Sequence, residues 1–441
     1  MQRSLHSLFA LATLAAVATL PTHAASPSYR DVAVDAATWI RASAIKTTAG
    51  LTWPADPGNP ASVGASLYSG APGVVLFLLD LHRVTGAPGY LADARAGADD
   101  LLAHVGEVTE SGLYTGLAGV GTTLLETAAV TGDRKYREGA ARVVSLLQSR
   151  ARHLGAGVEW NDTTDIVGGS AGIGLFLLRA ATDLGDASAR DLAAKAGRRL
   201  LALGVAEAGG TKWAMTPAFP RLMPNFSHGT AGIAYFLASL YTATSDRAFL
   251  DGALAGARYL QAIADTDGDM CLVRHHEPQD EGRRLYYLGW CHGPAGTARL
   301  WIRLWQVTGD TAWLEWAKKS ARAVLASGIP AHETQGFWNN VGQCCGHAGV
   351  AEFMLELHRV TKSPEYLAFA RTMTAHLVSK ATRDAAGARW VHAENRREPG
   401  KVAAQTGWMQ GAAGIGAWLL RLDAFEQGTP TTLVRLPDSP Y

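Results

Sequence analysis

Seven Gly-x-x-Gly motifs punctuate this 441-residue chain, and each opens the same kind of segment. They begin at Gly70, Gly116, Gly169, Gly229, Gly293, Gly346 and Gly411, spaced 46, 53, 60, 64, 53 and 65 residues apart. One such motif carries no information; seven at a period near 57 residues mark a repeat architecture. An apolar, helix-like stretch follows each, such as Val74 to Gly86 or Ile173 to Asp186. The first six stretches close on a turn, and Asp in that turn can cap the next helix. An amphipathic helix comes next, such as Lys135 to Arg150, with its charges on one face. Residues 29–46 add one more such helix before the first motif.

The first helix of each pair is apolar almost all round, which predicts burial. The second is half polar, which predicts a solvent face. Seven of each predict an all-α fold: an α/α toroid of seven inner and seven outer helices, one domain over residues 25–441. An open solenoid is the alternative, but its ends would want polar capping repeats. The last inner stretch, Gly414 to Phe425, is as apolar as the others. The glycines let the chain turn tightly and let inner helices approach closely. They also set seven helix N-termini at one end of the toroid.

The residue before each glycine is then expected to face the central cavity. These residues are Ser69, Thr115, Gly168, His228, His292, Cys345 and Gln410. Only His228, His292 and Cys345 have much chemical reach. The longer loops before motifs four, five and seven carry Trp213, His275, His276, Tyr286, Tyr287 and Trp390. Those aromatics either bind a ligand at the cavity mouth or close a loop over the core.

Hydrophobic residues at 48% and charged residues at 18% exclude a disordered chain. Arg3 is the one charge in residues 1–24, so the rest balances at 39 acidic against 39 basic side chains. That leaves no electrostatic footprint for nucleic acid or an anionic membrane. Residues 1–24 read as a secretory signal, with Arg3, an apolar run from Leu8 to Leu20, and small residues before a cut after Ala24. The run is too short to span a bilayer comfortably; a retained anchor is the alternative. The expectation is an exported protein, free of the membrane after cleavage. No outer helix shows a long apolar stripe, so a monomer is expected.

For an exported chain, four cysteines suggest two disulfides. Cys344 and Cys345 are adjacent, however, and a bridge between neighbours is strained. Cys291 and Cys344 each stand two residues before their glycine, and Cys345 one before. Repeat equivalence brings all three to the tops of two adjacent inner helices. Three thiolates with one open position suit Zn²⁺ and the activation of a thiol. The same three could be buried thiols, or a disulfide with one left over. Cys271 falls outside the register and reads as a buried or spare thiol. His228 is placed one repeat before Cys291, for acid–base work, and Asp165 one repeat earlier, to orient it. A core histidine and a capping aspartate are the plainer readings of those two. His292 and His347 are further candidates.

With Ser227-His228-Gly229, Trp290-Cys291-His292-Gly293 and Cys344-Cys345-Gly346 in place, the chain resembles the lanthionine synthetase C-like family from about Tyr29 to about Phe425. The resemblance implies an α/α toroid with zinc on Cys291, Cys344 and Cys345, acid–base work for His228 and support from Asp165. It implies addition of a peptide thiol across dehydroalanine or dehydrobutyrine, or conjugation of a small thiol such as glutathione to a dehydrated peptide. Three features depart from the family. Cys345 stands where most members carry the histidine of Cys-His-Gly. Tyr287 stands where bacterial cyclases carry an arginine, with Arg283 and Arg284 nearby. The family is cytosolic as a rule. A binding module with a structural zinc is a second reading. A carbohydrate-active toroid is a third; it needs a second cavity carboxylate, for which Glu107, Glu159 and Glu394 are the candidates.

Overall fold

The computed structural model describes residues 27–218, 222–278, 285–333, 340–392, 398, 400–429 and 432–441. The signal segment 1–24, Arg283, Arg284 and Glu394 lie outside the described residues. Fourteen α-helices among those described alternate between two rings. The outer ring holds α1 (Tyr29–Ala42), α3 (Pro88–His104), α5 (Arg134–Arg150), α7 (Ala187–Leu203), α9 (Arg247–Ile263), α11 (Thr311–Ala326) and α13 (Pro364–Ser379). The inner ring holds α2 (Ala71–Thr85), α4 (Leu117–Thr131), α6 (Ser170–Leu184), α8 (Thr230–Thr244), α10 (Pro294–Thr308), α12 (His347–Thr361) and α14 (Ala412–Glu426). Each inner helix packs on its neighbours, and α14 packs on both α2 and α1. The ring therefore closes, as an all-α toroid of seven inner and seven outer helices.

Asp133, Asp186, Asp246 and Asp310 accept hydrogen bonds from the first turns of α5, α7, α9 and α11, as the turn sequences predict. The seven glycines that begin the motifs have extended backbone rather than left-handed torsions, from φ −162° at Gly116 to −103° at Gly169. What the motif supplies is room. A Cβ on Gly296 would strike the Trp290 carbonyl oxygen and lie 2.8 Å from Phe226 Cβ of the preceding loop. Gly119, Gly172, Gly232 and Gly414 meet the carbonyl six residues earlier in the same way. Each pre-helical loop thus folds flat against its own helix and against the neighbouring loop.

That packing builds a closed girdle. The Tyr68 N–H donates to Tyr114 O (2.9 Å), Tyr114 to Val167 (2.9 Å), Ile166 to Ser227 (3.2 Å) and Ser227 to Cys291 (3.0 Å). Cys291 donates to Cys344 (3.1 Å), Cys344 to Met409 (2.9 Å), and Met409 back to Tyr68 (2.9 Å). Buried backbone groups must be paired, and here the pairing runs round the full circle.

Of the two readings of the loop aromatics, Trp213 and Trp390 take the one that closes a loop over the core, and neither is among the residues lining the mouth. Both are buried and donate from Nε1 to the last turn of the preceding outer helix, at Leu200 O (2.6 Å) and Leu377 O (2.9 Å); Trp160 does the same at Leu147 O (2.7 Å). They follow short antiparallel hairpins, β3–β4 (Arg152–Leu154, Gly157–Glu159), β5–β6 (Val205–Glu207, Gly210–Lys212) and β7–β8 (Thr382–Asp384, Gly387–Arg389). A smaller pair, β1–β2 (Ile45–Lys46, Leu51–Thr52), follows α1.

The inner helices are not apolar on every side. Glu126 takes ion pairs from Arg83 (3.3 Å) and Arg179 (2.9 Å), and Glu352 takes them from Arg299 (3.4 Å) and Arg421 (3.2 Å), each joining neighbouring inner helices. The segment 432–441 enters among these charges. Val434 N donates to Asp80 (2.8 Å), and Arg421 donates to Val434 O (2.8 Å). Asp438, fully buried, accepts from Tyr114 Oη (3.2 Å) and Trp290 Nε1 (3.1 Å) beside Arg299 (3.4 Å).

Candidate metal centre and acid–base pair

A cavity of about 380 Å³ opens at the inner-helix N-termini, lined by residues that include Tyr68, His228, Tyr287, His292, Gln410 and all three clustered cysteines. Of the residues one before each glycine, His228, His292, Cys345 and Gln410 line it; Ser69, Thr115 and Gly168 are not among its lining.

Cys291, Cys344 and Cys345 meet as the register requires. Cys345 Sγ lies 3.2 Å from both Cys291 Sγ and Cys344 Sγ, well beyond the about 2.05 Å of a disulfide. One ligand atom from each lies within 4.8 Å of the others. Sulfurs around a tetrahedral zinc at about 2.3 Å would stand about 3.8 Å apart. The donor set fits such an ion after a small outward movement, and Cys345, the least buried of the three, borders the cavity. Hydrogen bonds from Cys291 and Cys345 hold the Cys344 thiol well below its ordinary range against the opposing effect of burial, with Tyr68 adding a further hydrogen bond. Cys345 is pushed up by its contacts with Cys291 and Cys344 and by burial.

Asp165, 1% exposed, presents Oδ2 to His228 Nδ1 at 2.6 Å. Its other oxygen accepts from the N–H groups of Gly168 (2.8 Å) and Gly169 (2.9 Å) at the start of α6. This fixes the tautomer: Nδ1–H faces the carboxylate, leaving Nε2 for the cavity. Burial alone would lower the His228 pKa, but the hydrogen bond and charge of Asp165 outweigh it and the net shift is upward. His292 lies 5.4 Å from His228, and His275 lies 4.3 Å from both His292 and Tyr287, ring centre to ring centre. Tyr287 and His292 line the cavity, and His275 packs against both.

His347 points elsewhere, with Nδ1 on Asn340 O at 2.6 Å and its pKa pushed down by burial to about 4. Cys271 is a separate buried thiol, raised by burial to about 11. Of the carboxylates a glycosidase would need, Glu159 is paired with Arg152 and Arg199 (2.9 and 2.7 Å), and Glu107 lines a different surface pocket. Sequence reasoning missed Tyr68, which hydrogen-bonds Cys344. The signal was available: Tyr68 stands two residues before its glycine, the register of Cys291 and Cys344.

The comparisons bear on the family and the fold. Residues 61–432 match the model of lanthionine synthetase C-like proteins. Among solved structures, nisin cyclase superposes with a TM-score of 0.63 at 17% identity, over 85% of this chain and 91% of that one. An inactive variant of an α-1,6-mannanase of Salegentibacter sp. HEL1_6, bound to α-1,6-mannotetrose, gives 0.50 at 15% identity, over 90% and 99%. An unsaturated glucuronyl hydrolase specific for heparin gives 0.51 at 13% identity, over 91% and 98%. At such identities the solved structures establish the shared toroid alone. The family match covers most of the chain and extends through the cysteine, histidine and glycine motifs, so this protein belongs to the lanthionine synthetase C-like family.

Proposed function

We propose that the protein catalyses zinc-dependent addition of a thiol to dehydroalanine or dehydrobutyrine in a dehydrated peptide. The thiol belongs to the same peptide, giving a thioether ring, or to a small molecule such as glutathione. The observation that carries this reading is the convergence of three sulfurs and the His228–Asp165 pair on one cavity. Cys291, Cys344 and Cys345 would hold the ion; bound there, Zn²⁺ lowers the pKa of an incoming thiol and keeps it as thiolate.

The chain's own residues supply the rest. His228 Nε2 takes the S–H proton, and Asp165 stabilises the imidazolium that results. The C–S bond forms at the β-carbon while the π pair moves to the α-carbon and its carbonyl. His228 then returns its proton to the α-carbon, so the addition is neutral in atoms and electrons. Tyr287 and His292, backed by His275, wall the site and limit water around the developing enolate. The reading includes export through residues 1–24 and action as a monomer.

The kinship with nisin cyclase supports a peptide substrate. A sugar substrate is less well served: the described lining of this cavity holds no carboxylate, and Asp165 stands behind His228. The test is addition of glutathione to a dehydroalanine peptide, followed by mass. Cys345→His, which restores the family's commoner donor, is expected to retain activity, and Cys345→Ala to lose at least 100-fold. Equal rates in the wild type, Cys345→Ala and His228→Ala would instead mark the toroid as a binding module.

A further inference from the structure

We propose that Glu333, His347 and His376 form a second divalent-metal site, of the zinc class, in the toroid wall between α12 and α13. The three offer one nitrogen or oxygen ligand each, within 4.8 Å of one another. They come from three separate places: the segment after α11, the first residue of α12 and the last turn of α13.

His347 is fully buried, and its ring stacks on His376 at 5.0 Å and 19° between planes. Its Nδ1–H donates to Asn340 O at 2.6 Å, so Nε2 is the unprotonated nitrogen. A backbone carbonyl on the far nitrogen is the usual support of a metal-ligating histidine, because it fixes the tautomer and aims the other lone pair. His376 Nε2 lies 2.8 Å from Glu333 Oε1, and Lys380 Nζ lies 3.0 Å from Oε2. An ion bound between them would replace the proton of that hydrogen bond. Two imidazoles and one carboxylate, with a further position for water, are a zinc donor set. Lys380 competes for the Glu333 charge and sets the affinity below that of a lysine-free site.

The consequence is mechanical. His347 follows Cys345 by two residues, so an ion here would tie the cysteine-bearing loop to an outer helix. The proposal does not depend on the thiol-addition reading.

The test is titration of the purified full chain with Co²⁺. A thiolate site gives a near-ultraviolet charge-transfer band; an imidazole and carboxylate site gives visible d–d absorption without it. Two equivalents are expected, and only one carries the charge-transfer band. His376→Ala and Glu333→Gln should each lose the other equivalent and keep the first, while Lys380→Met should tighten it by about tenfold. Saturation at one equivalent with the charge-transfer band overturns the proposal. So does a second equivalent that survives both His376→Ala and Glu333→Gln. Absence of the charge-transfer band would overturn the cysteine centre alone, leaving the second site to be judged by its own bands.

Discussion

The carboxylate of Asp165 is held by two backbone N–H groups at the start of α6, and this decides how His228 behaves. Those N–H groups hold the carboxylate in place against Nδ1 of His228. The anion in turn raises the His228 pKa, against the effect of the histidine's own burial. The proposed base must begin neutral, so activity should climb as pH rises through the His228 pKa. Asp165→Asn removes the charge and lowers that pKa. Its rising limb should therefore move to lower pH, while the plateau falls by about 10²–10⁴, as for loss of a proton-transfer partner. A pH–rate profile of both proteins, with Co²⁺ or Zn²⁺ content checked, reads both changes. An unmoved limb would separate Asp165 from the titrating group.

At the scale of elements, the Gly-x-x-Gly motif acts through space rather than torsion. The second glycine of six of the seven pairs sits where its own loop and a neighbouring loop cross the first turn of the inner helix. Gly296→Ala should cost about 1–3 kcal/mol by overpacking, because Trp290 O and the Phe226 backbone segment cannot both retreat. Gly64→Ala, with nothing within 4 Å of the new methyl, should stay within about 0.5 kcal/mol of wild type. Urea denaturation of the two variants makes the comparison. The outer helices have their own recurring device, the tryptophan thirteen residues on that donates to a last-turn carbonyl. It satisfies an acceptor that every helix C-terminus leaves open. For two of those tryptophans the sequence leaves mouth and core open as alternatives, because loop length is visible there and side-chain direction is not.

At the scale of the molecule, the girdle closes one end of the ring and the segment 432–441 fills part of its interior. Asp438 joins the two, since Trp290 and Tyr114 both donate to it from beneath the girdle. Asp438→Ala would leave Arg299 buried beside a lost partner, a change that typically costs about 3–5 kcal/mol. It should also loosen the Trp290–Cys291 loop and so weaken metal retention. Urea unfolding and metal dissociation rates check both effects; a stability loss under about 1 kcal/mol would show that the buried pair is dispensable.

Periodicity made much of this legible in advance. Glycine spacing and apolar stretches determined the number of helices, their two classes and the closed ring, because burial follows a 3.6-residue pattern that any reader of the chain can count. Repeat register placed Cys291, Cys344, Cys345, His228 and Asp165 at one end of the toroid, because equivalent positions in a cyclic array share one height. Other features depend on contacts between residues hundreds of positions apart. The 2.6 Å approach of His228 to Asp165, the Tyr68 hydrogen bond to Cys344, the charged lumen and the burial of Asp438 are of this kind. No local pattern encodes which side chain meets which across a ring; packing and the pairing of buried polar groups decide it, and both exist only once the chain has closed.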